Sequence, residues 1–328
     1  MLNIAVVGAG RIGAIHAANV AASPDANLAW VCDPVPGAAD KLSHLGGRVG
    51  LDARQAIASD DVDAVVIGSP TPTHVELILA AVEAGKAVLC EKPVDLDLAR
   101  ARQCQAAVEA AGGRVMIGFN RRFDPTFAEV HARLQSGEIG QLEQLTIVSR
   151  DPAAPPASYV AVSGGIFRDM TIHDFDMAHF FLGEVESVQA VGQNVVDPAI
   201  AEVGDSDAAV VVLKAKSGAV ATIINNRRCA YGYDQRLEAF ASAGMLEARN
   251  QHATSAAVST ATLSGAANRV QDFFLQRYAD AYRLELAAFV KAVAEGGPFS
   301  PSLADGVTAL ALADAALESS KSGQTVLL

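Results

Sequence analysis

Cysteine and positive charge are both scarce in this 328-residue chain, and each scarcity excludes a class of protein. The four cysteines show no CxxC spacing, which argues against a disulfide framework and against a zinc site. Acidic residues outnumber basic ones, giving a net charge of −12 and an isoelectric point near 5.0. Nucleic acids and anionic membranes select the opposite charge. We therefore expect neither as a partner.

Long apolar runs and clustered metal ligands are also missing. No apolar run approaches the roughly 18 residues of a membrane-spanning helix, and the first residues lack the basic and long apolar regions of a secretion signal. The seven histidines form no HExxH motif and no cluster with cysteine. We expect a soluble, cytoplasmic protein whose chemistry needs no metal.

Length and hydrophobic content favour two domains. The chain is long for one domain, and 51% of its residues are hydrophobic, enough for a large core. The pattern of elements changes near Asn120, so we place a first domain at 1–120 and a second, for substrate binding and oligomerisation, at 121–328. The C-terminal helices of the second are free to pack back on the first.

The first domain opens with a strand, a glycine-rich loop and a helix. Asn3–Val7 is a short apolar run typical of a buried parallel strand. The motif GxGxxG follows at once, and Ala14–Ala22 reads as a helix. In this order the glycines predict a dinucleotide site, with pyrophosphate at the helix N-terminus. The loop comprises Gly8, Ala9, Gly10, Arg11, Ile12 and Gly13.

An aspartate follows the second predicted strand at the distance that a dinucleotide site requires. Asp33 comes directly after Leu28–Cys32 and 20 residues after Gly13. A carboxylate there accepts hydrogen bonds from the adenosine ribose and repels a 2′-phosphate. We therefore predict NAD rather than NADP as the cofactor.

Two later loops follow predicted strands of the same sheet. Ser69, Thr71 and His74 come after Val62–Ile67, where open α/β sheets bind ligands, although His74 is equally explained as a helix cap. Lys92 follows Lys86–Cys90 and precedes a proline that restricts its backbone. An ammonium held there could polarise a substrate hydroxyl. An exposed lysine that ends a strand explains the same letters.

The second domain reads as α+β. Seven alternating segments between Leu142 and Leu263 follow one another without intervening helices, which predicts a large open antiparallel sheet. The last of these is Ala256–Leu263. Helices are expected at Thr126–Ser136, Arg277–Glu295 and Leu303–Ser320. The fold class is thus a Rossmann domain, a doubly wound parallel sheet, plus this α+β domain.

The stretch from Gly164 to Asp176 carries a candidate acid–base pair. If a helix begins near Thr171, Asp169 and His173 lie one turn apart, so the carboxylate can hold one imidazole nitrogen while the other takes a proton. Asp176 falls near that face too. Acidic residues that merely begin a helix explain the letters equally well. Tyr231 is expected in the core.

Taken together, these motifs resemble the Gfo/Idh/MocA family of NAD(P)-dependent sugar and polyol oxidoreductases. The glycine loop, the Glu91-Lys92-Pro93 tripeptide and the Asp169-x-x-x-His173 spacing carry the resemblance, which covers essentially the whole chain. Within the family the nearest match is to the bacterial inositol 2-dehydrogenases. That subgroup shares a threonine at position 171, where the broader family often has glycine.

The resemblance implies oxidation of a myo-inositol ring hydroxyl to the 2-keto-inositol, with NAD as hydride acceptor, in a homotetramer. It assigns His173 as base, Asp169 as its orienting partner and Lys92 as the group that polarises the hydroxyl. It implies cofactor contacts from the glycine loop, Asp33, Ser69, Thr71, His74, Glu91 and Lys92. It implies substrate contacts from Lys92, Arg122, Asp151, Asp169, His173, Asp176 and Tyr233.

Other functions remain open at this point. Scyllo-inositol, another cyclic polyol or an aldose would suit the same site, and the sequence does not choose the stereoisomer. A non-catalytic NAD-sensing protein could use the same two domains but need not keep lysine, aspartate and histidine together. A lyase or glycosidase that uses NAD only transiently would show no net NADH production.

Overall fold

A computed structural model describes the whole chain, Met1–Leu328. The chain divides into two compact units. The first comprises Met1–Phe123 and Ala281–Ala311, and the second comprises Asp124–Asp280 and Leu312–Leu328.

The first unit is a parallel α/β sheet. Its strands are β1 (Leu2–Val7), β2 (Ala26–Cys32), β3 (Arg48–Gly50), β4 (Ala64–Ile67), β5 (Ala87–Glu91) and β6 (Val115–Gly118). Its helices are α1 (Arg11–Ala22), α2 (Ala53–Ile57), α3 (His74–Glu83) and α4 (Leu98–Ala110), with 3-10 turns at Ala39–Leu45, Thr71–Thr73 and Asn120–Phe123. Every strand and helix expected here forms, with ends shifted by up to three residues.

The strand order β3-β2-β1-β4-β5-β6 is that of a doubly wound sheet, as predicted. The central strands β4 and β5 are buried on both faces, which is why they appear in the sequence as continuous apolar runs rather than alternating ones. The core packs apolar side chains of the sheet and of α1 against a later helix that contributes Leu286, Phe289 and Val290.

The second unit is built on a seven-stranded sheet in the order β12-β11-β7-β10-β9-β8-β15. Its main strands are β7 (Leu142–Arg150), β8 (Val185–Gln193), β9 (Ala208–Ala215), β10 (Val220–Asn226), β11 (Asp234–Ala241) and β12 (Gly244–Ala248). Shorter strands are β13 (Ala257–Val258), β14 (Ala266–Ala267) and β15 (Val326–Leu327). All pairings are antiparallel except that between β10 and β7, which is parallel.

Short helices cover part of this sheet. They are α5 (Pro125–Gln135), α6 (Ala157–Ser163), α7 (Gly165–Asp169), α8 (Ile172–Leu182), α9 (Pro198–Glu202) and α10 (Phe274–Arg277). Two long helices follow, α11 (Ala279–Glu295) and α12 (Leu303–Ser322). No helix in the protein combines the length and apolar character needed to cross a membrane.

Three expectations for this half of the chain were wrong. Ala256–Leu263 contributes only the two residues of β13, which pair with β14 in a separate small sheet. The strands were expected to follow one another without intervening helices, but helices α6 to α9 lie between β7 and β9. Tyr231 is 45% exposed and therefore not a core residue, because its hydroxyl bonds to Arg150 and Asp234 at the partly exposed end of the sheet.

Candidate active site

The carboxyl ends of four parallel strands bring the predicted cofactor residues together in the first unit. Val7 of β1 lies level with Cys32 of β2 and with Ile67 of β4, and Ile67 lies level with Cys90 of β5. The residues that follow these positions therefore meet at one edge of the sheet. The edge includes the switch point between β2-β1 and β4, where such sheets bind their ligands.

The glycine loop fits a dinucleotide. A Cβ on Gly13 would lie 1.8 Å from the carbonyl oxygen of Gly8, so helix α1 packs on the loop only because residue 13 has no side chain. A Cβ on Gly10 would meet nothing within 4 Å. The space over Gly10 is thus open on the side of the loop where a pyrophosphate would approach, and Gly10 is the N-cap of α1.

Asp33 lies against this loop. Its Oδ2 accepts a hydrogen bond from the backbone N–H of Ala9 at 2.8 Å, and its Oδ1 accepts one from Val35 at 2.9 Å. Each carboxylate oxygen has a further lone pair for a ribose hydroxyl. The carboxylate therefore closes the loop and presents negative charge where the adenosine ribose of a dinucleotide would lie.

His74 connects two of the loops. Its Nδ1 lies 2.8 Å from the carbonyl oxygen of Pro93, and its Nε2 lies 2.9 Å from that of Ser69. The side chain is 1% exposed and makes no N-cap hydrogen bond to α3. This burial favours a role in fixing the loops over the direct cofactor contact or helix cap considered from the sequence. Ser69 itself bonds Thr73 within the same loop, at 2.6 Å between the hydroxyls.

Glu91 ends β5 at the same edge, and Lys92 follows it. Glu91 is 8% exposed, and its Oε1 lies 2.8 Å from Nε2 of the fully buried His16 on α1. The helix that begins at the glycine loop is thereby joined to the strand that carries Lys92. His16 was not identified from the sequence. A histidine three residues after GxGxxG, on a helix face that is otherwise apolar, was the available signal.

Arg122 also belongs to the first unit. It is 8% exposed, and its Nη2 lies 3.0 Å from Oδ1 of Asp305 in the first turn of α12. The other oxygen of Asp305 caps that helix by accepting from the backbone and hydroxyl of Ser302. Any substrate contact by Arg122 would therefore start from a side chain already fixed by an ion pair.

In the second unit, strand register gathers two candidate residues, Asp151 and Tyr233, at one end of the sheet together with Arg227. Arg150 of β7 pairs with Asn226 of β10 and with Asp234 of β11. Strand β10 is parallel to β7, whereas β11 is antiparallel to it. Asp151 and Arg227, which follow the ends of β7 and β10, therefore lie at the same end of the sheet as Tyr233, which precedes β11. The backbone N–H of Asp151 donates to the carbonyl of Asn226 at 2.9 Å.

A buried hydrogen-bond network joins helix α8 to this part of the sheet. Asp174, which is fully buried, accepts from the hydroxyl of Ser149 at 2.7 Å and from the side-chain amide of Asn225 at 2.7 Å. The hydroxyl of Thr171 donates to Asn225 Oδ1 at 2.6 Å. The hydroxyl of Thr171 therefore belongs to the network that holds α8. Thr171, the residue that distinguishes the inositol subgroup in the sequence, thus has a structural role.

Asp169 and His173 lie on either side of a helix break. Asp169 is the last residue of α7, and His173 is the second of α8. At the break, the N–H of Thr171 bonds to the carbonyl of Ile166 at 2.9 Å instead of to residue 167. The four-residue separation is thus not a turn of one regular helix. Asp176 follows one turn after His173 and is 1% exposed.

The carboxylate of Asp169 is held by two donors. Its Oδ1 accepts from the hydroxyl of Tyr159 at 3.1 Å, and its Oδ2 lies 3.4 Å from Nη1 of Arg227. Neither residue was identified from the sequence. For Arg227 a signal existed, since the inward-facing alternation Ala221, Ile223, Asn225 and Arg227 ends on two polar residues.

Asp234, the residue after Tyr233, has a strongly lowered pKa. Burial alone would raise the pKa of Asp234, but hydrogen bonds from Arg236, Tyr231 and Asn250 outweigh it and lower the pKa to about 2. Arg150 also lies 2.6 Å from Oδ2. The carboxylate thus stays ionised at any physiological pH and fixes the turn that carries Tyr233. Tyr233 is buried and packs its ring against Phe273 and Tyr278.

Comparison with known proteins agrees with this arrangement. Residues 2–119 match the oxidoreductase family with an NAD-binding Rossmann fold, and residues 127–247 match the GFO/IDH/MocA C-terminal domain. The inositol 2-dehydrogenase of Rhizobium meliloti strain 1021 is 48% identical over 319 residues, which cover 96% of this chain and 95% of that protein.

Two solved structures are similar over the full length. A myo-inositol dehydrogenase from Corynebacterium glutamicum has a TM-score of 0.97 and 50% identity, covering 100% of this chain and 99% of that one. A scyllo-inositol dehydrogenase from Lactobacillus casei, solved with NAD(H) and scyllo-inositol bound, has a TM-score of 0.92 and 30% identity, with the same coverage. This chain belongs to the GFO/IDH/MocA family of NAD-dependent oxidoreductases.

Proposed function

We propose that this NAD-dependent polyol dehydrogenase oxidises the C2 hydroxyl of myo-inositol to the 2-keto-inositol. The observation that carries the proposal is the full-length similarity, at 48% and 50% identity, to proteins named for myo-inositol or inositol oxidation. The dinucleotide-fitting loop and the carboxylate and imidazole around the α7–α8 junction supply the groups that this reaction needs.

Proton removal is assigned to His173. Oxidising a secondary alcohol requires a base for the hydroxyl proton, and an imidazole titrates in the appropriate range. The carboxylate of Asp169 would orient the imidazole and stabilise the imidazolium that forms. General acid–base catalysis of this kind contributes about a hundredfold or more.

Lys92 is assigned to the hydroxyl oxygen. Its ammonium would donate a hydrogen bond to that oxygen and stabilise the negative charge that develops as the proton leaves. When bound, NAD would supply the acceptor for the hydride that leaves the alcohol carbon. Asp33, together with the glycine loop, would hold the adenosine half of the cofactor, and the carboxylate disfavours a 2′-phosphate.

The remaining candidate residues would hold the ring. A cyclic polyol presents a hydroxyl on every carbon, and each hydroxyl both donates and accepts hydrogen bonds. Carboxylates such as Asp151 and Asp176 accept from such groups, whereas the guanidinium of Arg122 and the hydroxyl of Tyr233 donate. We assign these four residues to substrate binding.

Assembly as a cytoplasmic homotetramer is part of the proposal. The outer face of the seven-stranded sheet exposes apolar side chains in register, since Val191 lies opposite Val210 and Phe240 lies opposite Met245. All four are between 38% and 55% exposed. Apolar patches of this kind commonly mark protein interfaces. Native mass measurement would test the tetramer, and a monomer at micromolar concentration would contradict it.

The substrate is tested by a panel. The purified protein is incubated with NAD or NADP and with myo-inositol, scyllo-inositol, chiro-inositol or glucose, and reduced nicotinamide is followed by absorbance. We expect the highest kcat/KM with myo-inositol and NAD. Preference for scyllo-inositol would support the second candidate, which the similarity to the Lactobacillus casei enzyme favours. Absence of net NADH with every polyol would contradict the dehydrogenase function and favour a sensor or a lyase.

The assigned base is tested by His173→Ala. We expect kcat to fall by about two to four orders of magnitude, the usual contribution of a general base. His179→Ala is the matched control, because His179 lies on the same helix but bonds the carbonyl of Gly183 at the helix end. Wild-type turnover in His173→Ala would show that another group takes the proton.

A further inference from the structure

The second unit buries an arginine that the mechanism above does not use. Arg227 follows directly after β10, and its side chain is 1% exposed. A guanidinium cannot be neutralised at physiological pH and is costly to bury unless carboxylates compensate it. The carboxylates that it faces are therefore the key to its role.

Two aspartates compensate Arg227. Its Nη1 and Nη2 lie 3.4 and 3.5 Å from Oδ2 of Asp169, and its Nη2 lies 3.9 Å from Oδ2 of Asp205. The hydroxyl of Tyr159 donates to the other oxygen of Asp169. Each oxygen of Asp169 therefore has its own donor, and the plane of the carboxylate is fixed.

Asp205 and Arg227 together hold the two ends of helix α7. Asp205 Oδ1 accepts from the backbone N–H of Ile166, in the first turn, at 3.1 Å. A Cβ on Gly165 would lie 2.6 Å from that oxygen, so the approach depends on glycine. Arg227 meets Asp169 at the last residue of the helix. A helix of five residues has almost no stability of its own, so these contacts determine where Asp169 lies.

We infer that Arg227 is a positioning residue that acts through Asp169, a role that rests on the proposed dehydrogenase function. The guanidinium orients the carboxylate that supports His173 and offsets part of its charge. Without Arg227, Oδ2 of Asp169 would lose the guanidinium that fixes its position. The imidazolium formed during catalysis would then lose its oriented partner, while NAD and polyol would still bind.

The test compares Arg227→Gln and Arg227→Lys with wild type. Arg228→Gln is the matched control, because Arg228 is the exposed neighbour and its guanidinium donates to the carbonyl of Val195 rather than to Asp169. We expect kcat to fall about tenfold or more in Arg227→Gln, with the KM for inositol and the Kd for NAD within about twofold of wild type. Arg227→Lys should retain part of the activity, since an ammonium supplies the charge without the fork that reaches both aspartates.

A double-mutant cycle with Asp169→Asn separates positioning from general structural support. If Arg227 acts through Asp169, the Arg227 substitution should lower kcat little further in the Asp169→Asn background. The inference would be overturned if the fold-decreases in kcat of the two single variants multiplied in the double variant. It would also be overturned if kcat stayed within about twofold of wild type in both Arg227 variants.

Misfolding of the variant and inactivity of wild type each have a defined consequence. If Arg227→Gln fails to fold, the cycle is run with Arg227→Lys, which keeps the buried charge compensated, and the same criteria apply. If wild type itself produces no NADH from any polyol, the proposed function fails and this inference fails with it. Failure of the inference alone shows instead as an active wild type with indifferent Arg227 variants.

Discussion

Two glycines of the cofactor loop, three residues apart, should respond differently to alanine: substitution of Gly13 should lower stability, whereas substitution of Gly10 should lower affinity for NAD. A methyl group on Gly13 would lie 1.8 Å from the carbonyl oxygen of Gly8, far inside contact distance, and 2.7 Å from its carbonyl carbon. Both atoms belong to the backbone, so no side chain can rotate away. A methyl group on Gly10 meets no atom within 4 Å, and its φ of −71° is accessible to alanine.

The expected effects follow from those distances. Gly13→Ala must push helix α1 away from the loop, and overpacking of this kind costs about 1–3 kcal/mol and occasionally more. In a domain of 150–250 residues, each kcal/mol lowers the melting temperature by roughly 2–4 °C. Gly10→Ala loses some N-cap preference but gains from a less flexible unfolded chain, and each effect is below about 1 kcal/mol.

Cofactor affinity should separate the two variants further. The methyl group of Gly10→Ala occupies the space that a pyrophosphate must enter, so we expect the Kd for NAD to rise about tenfold or more, or about 1.4 kcal/mol. Thermal unfolding without cofactor and calorimetric titration with NAD measure the two effects separately. The reasoning is refuted if Gly10→Ala binds NAD like wild type, or if it is destabilised as much as Gly13→Ala.

Three further predictions concern single side chains. Asp33→Ser should raise the NADP-to-NAD ratio of kcat/KM about tenfold or more, because the carboxylate that repels a 2′-phosphate is gone; an unchanged ratio would contradict its role. Asp234 has a folded pKa of about 2 against an ordinary value of 3.8, so its stabilisation is complete above the ordinary value and disappears as the pH falls through 2. Asp234→Asn should therefore unfold more easily in urea at pH 7, by up to about 2 kcal/mol, with the difference vanishing near pH 2. Thr171→Val should cost about 1–3 kcal/mol in the same assay, because Asn225 Oδ1 loses its buried donor; unchanged stability would remove Thr171 from the network.

Most strands and helices of the first unit could be predicted from the sequence, although β3 and α2 were not. Buried parallel strands produce continuous apolar runs, and the glycine loop and Asp33 have fixed places relative to β1 and β2. Local patterns therefore determine both the elements and the edge where they meet. His74 was the uncertain residue. Its burial depends on the carbonyl of Pro93, which lies 19 residues away along the chain, and no local pattern reveals that contact.

The second unit was less predictable, for a physical reason. Alternation located six of its main strands, but it does not say that β10 pairs with β7 in parallel, and this pairing places Asp151 beside Asn226. Helix α7, which ends at Asp169, is contacted by Asp205 and Arg227, and these residues come 36 and 58 positions after Asp169 in the sequence. Polar residues at inward-facing positions, such as Asn225, were the signal in the sequence that this end of the sheet carries a polar network rather than an apolar core.

Transfer of the C2 hydrogen of myo-inositol tests the central claim most directly. Myo-inositol deuterated at C2 is incubated with the enzyme and NAD, and the cofactor and the product are examined by mass spectrometry and NMR. We predict one deuterium in each molecule of reduced cofactor and an equal amount of the 2-keto-inositol. Unlabelled reduced cofactor would place the oxidation at another carbon, and deuterium retained in the inositol without net cofactor reduction would contradict dehydrogenase function altogether.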